Sequence, residues 1–246
     1  MRRLQAEQRP ATAEEQAVLA RWSSWGALPE VFEGWREEWA DVQGQVSQAL
    51  TGAEFDAAAA TTLNAHYTDP AVVRAVWDAL EDAGLAEGTV LEPGCGAGTF
   101  IGMAPAGVRM VGVELDPLTA QIASHLYPGA HIIASGFQNA PLGRADLQPF
   151  DAAVGNVPFG GFSLHDPIDN PLQLSIHNHF IAKSLRRVKP GGYVALLTSS
   201  YTMDAQRSTA RAYIARFGHL LGAVRLPTGA FSRVAGTDVV TDLLIL

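Results

Sequence analysis

The heptapeptide Gly155-Asn156-Val157-Pro158-Phe159-Gly160-Gly161 places an amide, a proline and an aromatic ring directly after the apolar run Ala152-Ala153-Val154. That run reads as a strand, and the carboxyl end of a strand in an open parallel sheet is where ligands bind. Its residues are therefore candidates for chemistry first and for packing second. A second cluster lies upstream, in Val90-Leu91-Glu92-Pro93-Gly94-Cys95-Gly96-Ala97-Gly98-Thr99-Phe100. It reads as a strand, a turn over Gly94, Gly96 and Gly98, and a helix starting near Thr99. Glycines let a backbone turn sharply and approach a ligand closely, because no Cβ stands in the way. The dinucleotide fingerprint G-x-G-x-x-G is not met, since Thr99 stands where its last glycine would be. Glu114 ends the next strand, 22 positions after Glu92, where a carboxylate can accept hydrogen bonds from two ribose hydroxyls. The glycine turn and this acid together point to a ligand containing a nucleoside.

The elements that must position these groups follow from periodicity. Short β-rich runs occur at 89–92, 110–115, 131–135, 151–155, 193–199, 220–226 and 239–246, separated by helical stretches such as the amphipathic segment starting at Ala71. Seven strands alternating with helices predict an α/β fold with a doubly wound, mostly parallel, Rossmann-like sheet. The last two runs are too close for a crossover helix, so they are expected to pair antiparallel. Residues 1–65 read as a helical N-terminal segment that includes Trp22, Trp25, Trp35 and Trp39, and residues 66–246 as the α/β domain. The tryptophans are expected to pack. The chain stops inside an apolar strand, Leu243-Leu244-Ile245-Leu246, which suggests a piece of a longer polypeptide.

Composition narrows the classes. The 246 residues suffice for one substantial core. Neither a secretory signal nor an 18-residue apolar run is present, so a cytoplasmic location and no membrane partner are expected. A single cysteine, Cys95, excludes an internal disulfide and argues against a cysteine-based zinc site. The net charge of −8 gives no bulk attraction for nucleic acid. Lys183, Arg186, Arg187 and Lys189 could form a local basic patch, but at this spacing they read first as a solvated helix end. His165, His177 and His179 lack a carboxylate at a zinc-ligand spacing and read as polar residues of a loop and a helix; no metal is expected.

In the order of its motifs, the chain resembles the class I S-adenosylmethionine-dependent methyltransferases, and among them the DNA adenine-N6 methyltransferases. The residues that carry the likeness are Glu92-Pro93-Gly94-Cys95-Gly96-Ala97-Gly98, Glu114-Leu115-Asp116-Pro117, Asn156-Val157-Pro158-Phe159 and, upstream, His66-Tyr67-Thr68-Asp69-Pro70. The stretches "TLNAHYTDP", "GNVPFGGFSLHDP" and "SIHNHFIAKSLRRVKPGGYVALLTS" are similar to the methyltransferase part of large helicase-methyltransferase proteins of phages, plasmids and other mobile elements. The resemblance implies S-adenosylmethionine as cofactor, held by Tyr67, Thr68, Glu92, Gly94, Gly96, Gly98, Glu114, Leu115, Phe137, Gln138 and Asn156, with DNA as acceptor.

It also implies a catalytic set of Asn156, Val157, Pro158 and Phe159. An adenine amino nitrogen is a poor nucleophile because its lone pair is delocalised into the ring. Two acceptors, the Asn156 side-chain oxygen and a main-chain carbonyl of Val157 or Pro158, would draw density back onto it, while Phe159 stacks on the flipped base. Three positions depart from the family pattern. Val157 replaces a proline, which should loosen the loop. Gly136 stands where an acid for the cofactor adenine is usual, with Ser135 or Gln138 as substitutes. Asp69 replaces the first proline of the upstream element. Two other readings keep the same motifs: methylation of a protein glutamine amide, and an inactive cofactor-binding module within a larger DNA-processing protein. Either way, DNA binding is expected to need additional chain or a partner.

Overall fold

The computed structural model describes residues 1–27, 29–62, 68–143, 149–227 and 240–246. Among these, seven strands form one sheet: β1 (Gly88–Pro93), β2 (Val108–Glu114), β3 (His131–Ala134), β4 (Phe150–Asn156), β5 (Val188–Ser199), β6 (Gly222–Arg225) and β7 (Thr241–Ile245). Their spatial order is β3-β2-β1-β4-β5-β7-β6. The first five pair in parallel, and β7 runs antiparallel to both β5 and β6. Every strand read from the sequence is present, and the last pair is antiparallel as its short connection required; that connection, 228–239, lies outside the described residues. Chain order reverses at β1 and β4, so the crossovers diverge there and leave a crevice at the strands' carboxyl ends.

The strands read as continuous apolar runs because both faces are covered. On one face Val90, Met110, Ala152, Val154, Ala195 and Leu197 pack beneath helix α5 (Pro70–Asp82); on the other, Leu91, Val111, Ala153, Val194 and Leu196 meet Phe180 and Ile181. Helix α5 buries Val73, Val76, Trp77 and Leu80, the spacing of a single helical face. The Asp69 carboxylate accepts from Ala71 N at 2.8 Å and Pro70 takes the first helical position. The departure at Asp69 is thus a helix cap: proline could not supply that acceptor.

The remaining helices are α1 (Arg2–Glu7), α2 (Ala13–Leu19), α3 (Ala40–Ala49), α4 (Gly52–Thr61), α6 (Thr99–Gly102), α7 (Pro117–Leu126), α8 (Ile176–Arg187), α9 (Tyr201–Asp204) and α10 (Thr209–Ile214). Threonines 12 and 51 cap α2 and α4 with complete capping boxes. The N-terminal helices lie against α7, where Trp22 Nε1 donates to Thr119 Oγ1 at 3.0 Å and Gln16 Nε2 to His125 O at 2.7 Å. Trp22, Trp25, Phe32 and Phe55 form a chain of ring contacts 4.8–5.3 Å apart. Trp35 does not share that packing: it is 73% exposed, with the Arg36 guanidinium 4.6 Å above its ring. Among the described residues no helix is long and apolar enough to cross a membrane.

Candidate functional site

A cavity of about 330 Å³ opens at the carboxyl ends of β1, β2 and β4. Thr68, Glu92, Gly94, Gly96, Glu114, Leu115, Phe137, Gln138, Asn156 and Pro158 all line it, which brings together most of the site residues read from the sequence. Gly98, Val157 and Phe159 are not among the residues that line it. Tyr67 and His66 lie outside the described residues.

The glycine turn is wired to β2. Gly94 N and Cys95 N both donate to Val113 O, at 2.8 and 2.9 Å, and Gly96 N donates to Glu114 Oε2 at 2.9 Å. Gly94, Gly96 and Gly98 have φ of 72°, 53° and 90°, the left-handed region that glycine reaches without strain. Gly98 serves by its lack of a side chain, since a Cβ there would lie 2.7 Å from the Tyr127 ring. Cys95 is buried against Gly112, where a Cβ would meet its Sγ at 2.7 Å.

Two carboxylates face this cavity from adjacent strands. Glu114 is nearly buried, and its second oxygen accepts from Asp116 N at 2.8 Å. Burial raises its pKa to about 7, against the lowering pull of the backbone N–H groups of Asp116 and Gly96. Glu92 is 3% exposed, and among the described residues its Oε2 has no hydrogen-bond partner. Burial, then the charge of Glu114, pushes its pKa well up. A buried acceptor without a donor is what a cationic or N–H-bearing ligand group would satisfy. Asp116 caps α7 through Leu118 N and Thr119 N, which fixes Leu115 between the acid and the helix.

The far wall comes from two segments. After β3, Ser135 Oγ donates to Gly136 O at 3.0 Å, while the Gln138 amide folds over Gly136, where a Cβ would come within 2.7 Å of it. Glycine at 136 makes room for that amide. Phe137 is buried against Phe180, ring centroids 4.6 Å apart. After β4, Asn156 and Pro158 line the cavity, but the Val157 side chain is in the core and its N–H donates to Leu197 O at 3.0 Å. The expected loosening at Val157 is therefore corrected: proline could not make this bond, and valine extends the β4–β5 ladder by one residue. Phe159 is half-buried against the core, whereas Phe162, 46% exposed, lines the cavity.

The solvated reading of the basic cluster fits exposed Lys189 but not buried Lys183, and Arg186 and Arg187 are half-buried. Lys183 is 2% exposed and bonded to Asp166 and Asp169, while Arg186 and Arg187 pair with Asp169 and Lys189 with Asp151. The acids that pair with these cations lie on other elements, so a local count of charge could not show them. His165 is exposed on its loop as expected, but His177 and His179 are buried in α8. Burial lowers both pKa values, that of His177 to about 4. Sequence reasoning missed Phe162 and Phe180, which are aromatic and near the motif, and Ser24 and Thr61. For the last two no local signal existed, because long-range packing of the N-terminal helices brings them to the cavity.

No family model matches the chain. Over 209 residues it is 29% identical to the Defense against restriction protein B of Escherichia phage P1, a match covering 84% of this chain and 9% of that protein. The modification subunit of a putative type I restriction enzyme from Vibrio vulnificus superposes with a TM-score of 0.61 at 20% identity, covering 84% of this chain and 47% of that one. A putative class I S-adenosylmethionine-dependent methyltransferase from Listeria monocytogenes gives 0.60 at 18% identity, covering 91% and 78%. The chain thus spans under a tenth of the phage protein and about half of the Vibrio subunit. The structural likenesses establish the fold, which is the class I methyltransferase sheet with its antiparallel last strand.

Proposed function

We propose that the chain binds S-adenosylmethionine and transfers its methyl group to the N6 amino group of adenine in DNA, as the methyltransferase part of a larger assembly of a mobile element. The observation that carries this reading is the meeting of Glu92, Glu114 and Asn156, from three neighbouring strands, around one cavity at the sheet's switch point. The names of the relatives support it: a phage defence protein against restriction and a modification subunit of a type I restriction enzyme.

The residues present fit the cofactor. The cavity is in the range of small-molecule sites, and the partnerless Glu92 Oε2 would accept from the ammonium of its methionine part. Glu114, its oxygens already aligned by Gly96 N and Asp116 N, would accept from the ribose hydroxyls. Leu115, Phe137 and the Gln138 amide would enclose the adenine. When bound, the cofactor supplies an electrophilic methyl on a sulfonium. Asn156 Oδ1 and a main-chain carbonyl of the following loop would each accept one N6 hydrogen of the acceptor adenine. That returns the lone pair to nitrogen and aims it at the methyl carbon. The cofactor's sulfur is the leaving group in that chemistry, and one N6 proton, held by Asn156 Oδ1 or the loop carbonyl, would pass to solvent. Pro158 fixes the backbone that presents the carbonyl, and positioning supplies most of the rate.

The test is single-turnover transfer from labelled cofactor to mixed DNA, followed by nucleoside analysis. Asn156→Ala should abolish transfer while cofactor affinity, read by calorimetry, stays nearly unchanged. Wild-type transfer by that variant, or label found only in protein, would refute the assignment.

A further inference from the structure

We infer that Lys183 is a positioning residue that locks the cofactor wall and the acceptor loop of the cavity together, so that cofactor and DNA bind cooperatively; this rests on the methyl-transfer reading above. Lys183 belongs to neither segment. It projects from α8 and its ammonium donates to Gln138 O at 3.1 Å and to Asp166 Oδ2 at 2.8 Å, with Asp169 Oδ2 at 3.2 Å. It also lies 5.3 Å over the Phe137 ring. Phe137 and Gln138 line the cavity after β3, whereas Asp166 and Asp169 sit on the loop after β4 that brings Phe162 and Leu164 to the same cavity.

That loop is held at every level. Its ends meet in the Ser163–Ser175 bridge, and Ile176 N donates to Phe162 O at 2.9 Å. Asn170, 2% exposed, donates to Ser163 Oγ, Leu164 O and Leu174 O and accepts from Leu174 N. Asp166 takes, besides Lys183, the Asp169 N–H at 3.0 Å and His179 Nε2 at 3.1 Å. A shift of Asp166 would therefore carry Phe162 and Leu164 with it.

An ammonium has three protons, and here three acceptors face it. If either segment moves without the other, a buried proton or a buried acceptor loses its partner, which low dielectric makes costly. Buried ion clusters seldom add net stability over an apolar replacement, so fixing relative position is the better account of this one. A ligand that orders residues 136–139 then biases the loop, and by linkage the effect is reciprocal.

The test measures the Kd of S-adenosylhomocysteine for the full chain by calorimetry, with and without adenine-containing duplexes, at a salt low enough and a DNA concentration high enough that fluorescence anisotropy shows the chain bound to DNA. The wild type should show affinity raised by about fivefold or more, the lower end of ordinary coupling. Asp166→Asn, which keeps the shape of the side chain and its fold, and Lys183→Met should reduce that ratio to about one, with affinity in the absence of DNA little changed. Arg186→Ala, which touches Asp169 but not Gln138, should lower Tm and keep the ratio. A ratio of one in the wild type, or a wild-type ratio in folded Asp166→Asn, overturns the inference. Methyl transfer by a wild type without coupling would leave the proposed activity standing, whereas absence of both cofactor binding and transfer would remove that activity and this inference with it.

Discussion

Replacing Glu114 by glutamine probes the cofactor site at the point where its electrostatics are best defined. Each carboxylate oxygen already accepts one backbone N–H, from Gly96 at 2.9 Å and from Asp116 at 2.8 Å, and has capacity left for a ligand hydroxyl. In Glu114→Gln one oxygen becomes an NH₂ that must face one of those N–H donors. One backbone bond and one ligand bond are lost together. A hydrogen bond to a charged group contributes roughly 1.5–3 kcal/mol, so the Kd for S-adenosylmethionine should rise about 10- to 150-fold at 1.4 kcal/mol per decade. The same site fixes a pH dependence. In the cofactor-free protein burial holds the Glu114 carboxyl at about 7, above its ordinary value of 4.5. Between those values the folded state binds more protons than the unfolded one, so stability falls as pH rises from 4.5 through 7. Ligand hydroxyls favour the ionised form, so binding releases a proton, affinity rises as pH passes 7, and the thermal shift given by cofactor is larger at pH 8 than at pH 6. Calorimetry at several pH values on both proteins reads each effect. A flat wild-type profile between pH 6 and 8, or Glu114→Gln binding like the wild type, would refute the reasoning.

Val157→Pro removes the N–H that donates to Leu197 O and leaves that buried carbonyl short of a partner, a loss of about 1–3 kcal/mol. Scanning calorimetry should show a Tm lower by roughly 2–12 °C, and an unchanged Tm would return Val157 to a neutral substitution. Gly98→Ala puts a Cβ at φ 90° and 2.7 Å from the Tyr127 ring; a loss of about 1–3 kcal/mol together with weaker cofactor binding is expected, and wild-type values for both would mean that the turn does not need its left-handed residue.

The sequence by itself determined the sheet and the identity of the chemical groups. β-rich runs alternating with helical ones could close only as a doubly wound sheet, and the apolar runs of β4 and β5 were continuous because both faces are covered. Glu92, Glu114 and Asn156 were legible for the same reason: each ends a strand, and the ends of neighbouring parallel strands must meet at one edge. What lay beyond a strand and its turn was not legible. Asp69 looked like a defect in a motif until its carboxylate was seen to cap α5. Val157 looked like a loosened proline until Leu197, forty residues on, was seen to accept its N–H. The run Lys183 to Arg187 read as a solvated helix end because the periodicity of one helix reports which residues share a face and says nothing of what covers that face. Asp166 and Asp169 cover it, from a loop whose path is set by Asn170 and by the Ser163–Ser175 bridge. Ser24 and Thr61 reach the cavity only because the N-terminal helices dock on α7. Local pattern specifies elements and the residues at their ends, because backbone hydrogen bonding and side-chain period are local; which distant charge neutralises which, and which loop closes a wall, depend on contacts that exist only once the sheet has brought those segments together.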